Sequence, residues 1–569
     1  MLLKFQPMER FWEKHYQEDY LRGDEVHLGR DPIVQHLVYN AYKFSKKTAI
    51  IYYGTEFTWM EFKRMVWQVA GGLQRLGVKK GDRVYLGLQN CPQFLFSYFG
   101  IQSLGAIVVP GSPMFKSGEL EYILNDSGAK VVIIEDGLYP VYLSVRDQVP
   151  SVEAVVVTSL GEYLPAEPTL PFPDGILPEN PECPGAIDWK EFIGGEPIVK
   201  LETLDLEDVA QLQYTSGTTG HPKGAMLVHR NILWKAVVYS YNKDKVEDIH
   251  LATLPLFHIT GMACHMLGPV YEGGTILILA RFDPLTALKA IDRYKVTNFV
   301  AITTMNIALI NHPDVKNYDL SSWRCAWMGG APLPTAVQQK YLDLGILLAE
   351  GYGMSETVAT VCQTIPRWIK PGSIGLPFSG VDIRIVDPAD DTRDLPLGEE
   401  GELWIKDNSV AVGYWNKPEA TAEAFPGDSW VKTGDIARID EDGFVWLCGR
   451  LKELIKASGY SVFPAEVEEY LYKHPAIAEC AVIGVPHDYR GEDVKAFVVL
   501  KPEWVGKINE EELVSWAREQ MSVYKYPRTI EFRDTLPKSG TGKIMRKELK
   551  AEEAARRAAA EAEAAAEGD

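Results

Sequence analysis

The sequence predicts an α/β protein: a large amino-terminal domain of layered sheets with helices, ending in a β-rich subdomain, then a small α+β domain. Three observations carry this. The chain has 569 residues, more than one hydrophobic core ordinarily organises. Strand-like and helix-like apolar periods alternate over 33–135 and again from 205 to 380, the pattern of sheets covered by helices. A fresh unit follows Arg450, with the length of a small domain.

Taken in order, Thr48–Tyr53 reads as a strand and Trp59–Leu76 as a helix. Asp82–Leu86, Ile107–Pro110 and Lys130–Ile134 are strand-like runs. Residues 138–200 carry Pro165, Pro168, Pro171, Pro173, Pro178, Pro181 and Pro184, and they read as a surface excursion packed on the domain. Residues 381–449 are richer in strands, at Ile383–Val386 and Gly401–Ile405, with a hairpin turning at Asp442-Gly443. Beyond them come strands at Ala478–Val485 and Val494–Leu500, a helix at Glu510–Met521 and a basic loop at 537–547. The expected domains are 1–449 and 450–550. The tail, 551–569, is rich in Ala, Glu and Arg; it favours a helix but lacks an apolar stripe, so it is expected to be frayed and without chemistry.

The composition is 46% hydrophobic and 24% charged, which is globular rather than disordered. The net charge is 58 − 78 = −20, so phosphate-backbone binding to nucleic acid is disfavoured. Any anionic ligand needs a local cationic or amide-lined site. The seven cysteines are scattered without a CxxC pair, which suggests neither a disulfide framework nor a zinc site. The amino terminus lacks the apolar core of a signal peptide, and no run approaches a membrane span. A soluble cytoplasmic protein is expected, with peripheral membrane contact left open.

The strongest motif is Tyr214-Thr-Ser-Gly-Thr-Thr-Gly-His-Pro-Lys-Gly224, between a strand-like run and a helix starting near Asn231. Its backbone N–H groups and hydroxyls suit phosphate oxygens, and Lys223 adds positive charge. It is not a Walker loop, because Lys223 follows Pro222 and precedes Gly224. Gly351-Tyr-Gly-Met-Ser-Glu-Thr357 is a glycine-flanked turn with a carboxylate, a hard oxygen ligand for Mg²⁺. Thr433-Gly-Asp435 reads as an aspartate after a tight turn, able to accept from two hydroxyls. Gly449-Arg-Leu-Lys-Glu-Leu-Ile-Lys-Ala-Ser-Gly459 and Leu536-Pro-Lys-Ser-Gly-Thr-Gly-Lys-Ile-Met-Arg546 are basic, glycine-bearing segments.

Together, in this order, these strings resemble the adenylate-forming superfamily of acyl-CoA synthetases, adenylation domains and luciferases, over roughly residues 30–550. The resemblance implies an ATP- and Mg²⁺-dependent ligase that makes an acyl-adenylate and then an acyl-CoA thioester. It makes 1–449 the AMP-binding domain and 450–550 a mobile domain hinged at Lys452. By it, Thr215, Ser216, Gly217, Thr218, Thr219, Gly220 and Lys223 hold phosphates. Gly330, Ala331 and Pro332, in Met328–Leu333, line the adenine and acyl chain. Gly351 and Gly353 belong to the nucleotide site with Tyr352, which lies against adenine, Ser355 contacts phosphate in place of the more usual threonine, and Glu356, with Thr215, holds Mg²⁺. Asp435 holds the ribose, Arg450 contacts ribose or phosphate, and Lys456 and Gly459 line the thioester-forming site. Lys543 is the catalytic lysine of adenylation. His258, in Pro255-Leu-Phe-His258, borders the carboxylate pocket rather than acting as a base.

The acyl pocket is expected near Trp234, His258–Met262, Thr303 and 327–331. The implied substrates are ATP, CoA and a medium- or long-chain fatty acid. Alternatives are an aromatic acid, or loading of a carrier protein, which the absence of a fused carrier domain disfavours; a non-catalytic relative is disfavoured by intact Lys543, Glu356 and Asp435. The resemblance leaves monomer and homodimer both open.

Overall fold

Two parallel-rich sheets dominate the amino-terminal part of the computed structural model, which describes residues 10–16, 22–178, 182–215, 221–242, 247–329, 335–364, 368–370, 372–457, 460–487, 491–538 and 544–567. The seven-stranded sheet runs Ile187–Asp188, Ala154–Thr158, Val131–Glu135, Arg83–Gly87, Ile107–Pro110, Val209–Thr215, Lys223–Val228. Its central strands are buried on both faces, which is why they read as continuous Val/Ile runs. The nine-stranded sheet runs Leu376–Pro377, Ala359–Gln363, Leu347–Met354, Cys325–Gly329, Asn298–Ile302, Ile249–Ala252, Thr275–Ile278, Thr48–Tyr52, Thr55–Thr58.

Local signals start the helices between them. Thr58 caps Trp59–Arg75, accepting from the Glu61 N–H at 3.2 Å, while the Glu61 carboxylate accepts from the Thr58 N–H at 2.8 Å. Asp283 caps Pro284–Tyr294, with proline in the first turn.

The segment 138–200 is more than a surface excursion. It supplies Ala154–Thr158 and Ile187–Asp188 to the seven-stranded sheet, and Val155, Val156 and Val157 are buried there. Three consecutive valines carry that strand; the prolines fall after it.

A five-stranded sheet follows, ordered Asp390–Asp394, Asp382–Asp387, Gly401–Lys406, Trp430–Ile439, Val445–Arg450. The chain divides into two compact units. The first holds Met1–Ile383, Trp404–Lys432 and Asp442–Val445; the second holds Arg384–Leu403, Thr433–Glu441 and Trp446–Asp569. Stretches that the sequence reading assigns wholly to residues 1–449 thus group with the second unit.

Within the second unit, Ile477–His487 and Gly491–Leu500 form an antiparallel hairpin, with Thr529–Phe532 parallel to Gly491–Leu500. Pro464–Leu471 and Glu510–Gln520 supply Val467, Leu471, Leu513 and Ala517 to its core. The tail continues in the helix Arg546–Glu567, the form its composition favours. It is tied down by Arg533–Glu552 at 2.8 Å and Lys495–Glu553 at 2.6 Å. No helix among the described residues is long and apolar enough to cross a membrane.

Candidate active site

The loop after Tyr214 closes a β-hairpin. Val209–Thr215 and Lys223–Val228 pair antiparallel, with Thr215 opposite Lys223, and the helix begins only at His229. The sequence reading passes from loop to helix and misses this second strand, which is six residues long and too short to declare a period. Ser216, Gly217, Thr218, Thr219 and Gly220 lie outside the described residues; the stem does not. His221 stacks on Tyr122 with centroids 4.6 Å apart, and the Tyr122 hydroxyl donates to the Pro222 carbonyl at 2.9 Å. The Tyr214 hydroxyl donates to Asp126 at 2.8 Å, and Lys417 pairs with the same carboxylate at 2.8 Å. The outer edge of Lys223–Val228 is covered by residues 412–415: Met226 N–H donates to the Gly413 carbonyl at 2.8 Å, and Trp415 N–H to the Gly224 carbonyl at 2.8 Å. That covering satisfies an otherwise open sheet edge.

Against both strands of this hairpin packs the turn Ser355–Thr357. Gly351, Tyr352 and Gly353 lie on the strand Leu347–Met354 leading into it. At Gly353 a Cβ would stand 1.7 Å from the Ala359 carbonyl oxygen, so only glycine fits. The turn is tight: Val358 and Ala359 have φ of 47° and 70°, left-handed backbone that costs non-glycine residues free energy and concentrates at functional sites.

Glu356 is 6% exposed. Its Oε1 accepts from the Tyr414 hydroxyl at 2.8 Å, and its carbonyl accepts from Ala411 N–H at 2.7 Å. Burial, and then the Glu356 carboxylate, push the Tyr414 pKa well up, so it stays a donor. Lys223 Nζ lies 5.1 Å from the centre of the Tyr414 ring. Tyr414 therefore joins two residues that the sequence had marked separately. Nothing in Val412-Gly-Tyr-Trp-Asn416 announces that role, because its partner is 58 residues away. The carboxylate of Glu356 and the hydroxyl of Thr215 are hard oxygen donors on adjoining elements, a donor set that fits Mg²⁺ shared with phosphates.

His258 follows the strand Ile249–Ala252 and caps the short helix Ile259–Met262; its Nδ1 accepts from Thr260 N–H at 3.3 Å. That bond places a neutral ring's proton on Nε2. The strands Asn298–Ile302, Cys325–Gly329 and Leu347–Met354 run parallel. Their carboxyl ends bring Thr303, Gly329 and Gly351 to one rim of the sheet, where ligands of such sheets bind. Trp327 is buried in the middle of its strand. Trp234 is buried too, and its Nε1–H donates to Asp407 at 3.0 Å. Gly330, Ala331 and Pro332 lie outside the described residues.

In the second unit, Thr433-Gly-Asp435 is not after a tight turn. It lies within the strand Trp430–Ile439, kinked by Gly434 at φ 71°. The kink is held by Gly434 N–H to Glu402 at 3.1 Å and by the Thr433 hydroxyl to the Leu403 carbonyl at 2.7 Å. Asp435 pairs with Arg450 Nε at 3.4 Å, so the structure brings these two predicted residues together. Lys452 sits in the turn Leu451–Glu453. Lys456 is exposed in the strand Ile455–Ala457, its N–H bonded to Glu492 at 2.7 Å. Gly459 and Lys543 lie outside the described residues.

Two family models match this chain, an AMP-binding enzyme over residues 37–415 and an AMP-binding enzyme C-terminal domain over residues 466–543. It is 39% identical to a long-chain-fatty-acid–CoA ligase of Bacillus subtilis (strain 168), covering 95% of this chain and 98% of that one. It is 37% identical to a feruloyl-CoA synthase of Amycolatopsis sp, covering 88% and 95%. The solved structure of an anthranilate CoA ligase in complex with anthranoyl-AMP superposes with a TM-score of 0.82 at 31% identity, covering 95% and 100%.

Proposed function

The chain belongs to the AMP-binding enzyme family, and from that premise we propose that its predicted site residues carry the two successive half-reactions of an AMP-forming fatty-acid–CoA ligase. A carboxylate is a poor electrophile. Attack of its oxygen on the α-phosphorus of ATP, with departure of pyrophosphate, gives an acyl-adenylate. The CoA sulfur then attacks the acyl carbon and AMP leaves. Two anions must meet in the first step, so neutralising charge decides its rate; preorganised donors of this kind are worth roughly 3–4 kcal/mol each.

The observation that carries this reading is the Lys223–Tyr414–Glu356 arrangement beneath the loop hairpin. It sets a cation and a buried carboxylate on adjoining elements. Glu356 and Thr215 would hold Mg²⁺, which supplies further charge neutralisation to the phosphates. Lys223 and the 215–220 loop bind the phosphates; Tyr352 lies on the adenine; Asp435 holds the ribose, and Arg450, paired with it, contacts ribose or phosphate. Lys543 bridges substrate carboxylate and α-phosphate. His258, with its proton on Nε2, borders the carboxylate as a donor. Rotation of the carboxy-terminal domain 450–550 about Lys452 replaces Lys543 by Lys456 and Gly459 for thioester formation, a hinge-type gating. We place the enzyme in the cytoplasm, as a monomer or homodimer.

The likeness to a fatty-acid–CoA ligase over nearly the whole chain favours a medium- or long-chain fatty acid. The feruloyl-CoA synthase likeness supports an aromatic acid as the second reading. Carboxylate-dependent ATP–pyrophosphate exchange, measured on a panel from acetate to stearate with benzoate and ferulate, separates them. Exchange should peak on the longer aliphatic acids; a peak on ferulate would transfer the assignment.

A further inference from the structure

The basic loop bearing Lys543 springs from a stem that is described on both sides. Lys538 and Ile544 form an isolated antiparallel bridge, and Met545 N–H donates to the Pro537 carbonyl at 2.8 Å. Leu536, Ile544 and Leu549 pack on Ala481, Ile483 and Phe497 of the Ile477–His487 and Gly491–Leu500 hairpin. One residue beyond this, Arg546 turns inward. Its guanidinium holds Glu468 through Nη2 at 2.7 Å and Nε at 3.2 Å, and through Nη1 it reaches Glu453 at 3.1 Å. Glu468 is 8% exposed, and it also accepts from Val482 N–H at 2.8 Å. Arg546 is thus fixed to the body of the unit by a planar, two-pronged ion pair, the geometry that best defines direction. Its remaining prong grips Glu453, the residue after Lys452, in the turn Leu451–Glu453.

We propose that Glu453 and Arg546 are positioning residues: they bolt the turn that carries Lys452 to the stem of the lysine loop, so both move as one body. This rests on the adenylation role proposed above for Lys543. It has a geometric consequence. Because Glu453 is anchored through Arg546 to Glu468, a hinge rotation is taken up at or before Lys452, and whatever angle that hinge adopts is delivered to the stem at Lys538 and Ile544.

Arg546→Met strands the buried Glu468 and endangers folding, so the informative variant is Glu453→Gln, which leaves the Arg546–Glu468 pair intact. The assays are ATP–pyrophosphate exchange with the fastest acid of the panel, and thioester formation from supplied acyl-adenylate and CoA. Glu453→Gln should lower the kcat of exchange tenfold or more, with KM for ATP and the thioester half-reaction within twofold of wild type. Combined with Lys543→Ala, it should add no further loss. Exchange within twofold of wild type, or an equal fall in both half-reactions, would overturn the bracket. If Lys543→Ala itself retains full exchange, the reading of Lys543 fails first, and the bracket loses its purpose with it.

Discussion

The two glycine-rich lysine segments, 215–224 and 537–546, stand on stems made by different means. The first is a strand hairpin, hydrogen-bonded on its outer side to residues 412–415 and braced by the Tyr122–His221 stack and the Tyr214–Asp126 bond. The second has one isolated bridge, one backbone bond from Met545 to Pro537 and a small apolar contact through Leu536, Ile544 and Leu549, and to these it adds ion pairs, Lys538 to Glu479 and Arg546 to Glu453 and Glu468. A ladder of backbone bonds sets position without dependence on protonation or salt. A bracket of side chains ties separate segments into one body that can be carried as a whole. On the function proposed above, the difference suits a loop that grips the phosphates of ATP and a lysine loop that is carried in for adenylation alone.

Acid should separate the two units most strongly, through buried histidines rather than through the stems. His229, His250 and His265 are buried in the first unit, and burial holds their pKa values at about 4, 3 and 3. Each is neutral when folded but protonates below its ordinary 6.5 when unfolded. The stability they confer is therefore complete above pH 6.5 and drains away as pH falls toward 3. At pH 4.5 the loss is on the order of 2–3 kcal/mol for a single such histidine, a large part of the stability of a domain. The second unit's His474 and His487 are only half-buried. Peptide-resolved hydrogen exchange at pH 4.5 should show the first unit losing protection before the second; simultaneous loss would contradict this.

Next in size is Lys543→Ala. It should lower carboxylate-dependent exchange by roughly a thousandfold while the circular dichroism spectrum and melting temperature stay put. Glu356→Gln should cost roughly a hundredfold and raise the Mg²⁺ concentration that half-saturates exchange. Tyr414→Phe removes one hydrogen bond to that carboxylate, an interaction of about 1.5 kcal/mol, so roughly tenfold should be lost by the same assay. If Tyr414→Phe matches wild type, the link between Lys223 and Glu356 carries no function. The smallest effect is expected at the stem's surface: Lys538→Ala removes an exposed ion pair and should cost under about 1 kcal/mol by urea denaturation.

Much of the fold was legible in the chain. The strands at 107–110 and 131–135 follow from Val/Ile runs, those at 48–52 and 83–87 from short apolar stretches with aromatic or β-branched residues, and Trp59–Arg75 from its period and its Thr58–Glu61 capping pair. The misreadings have particular causes. Clustered prolines hid Val155–Val157, and Thr433-Gly-Asp435 looked like a turn because Gly434 signals positive φ whether it kinks a strand or reverses one.

What the sequence determined by itself is the set of chemical groups, because each loop carries its hydroxyls, glycines and lysine within about ten consecutive residues. Local order on that scale survives in the string of letters. Only the tertiary structure decided which groups hold them in place: Tyr414 on Glu356 across 58 residues, Asp126 on Tyr214 across 88, Arg546 on Glu453 across 93. Such partners are selected by how sheets and helices pack, and burial makes their bonds strong by removing competing water. No spacing along the chain records them.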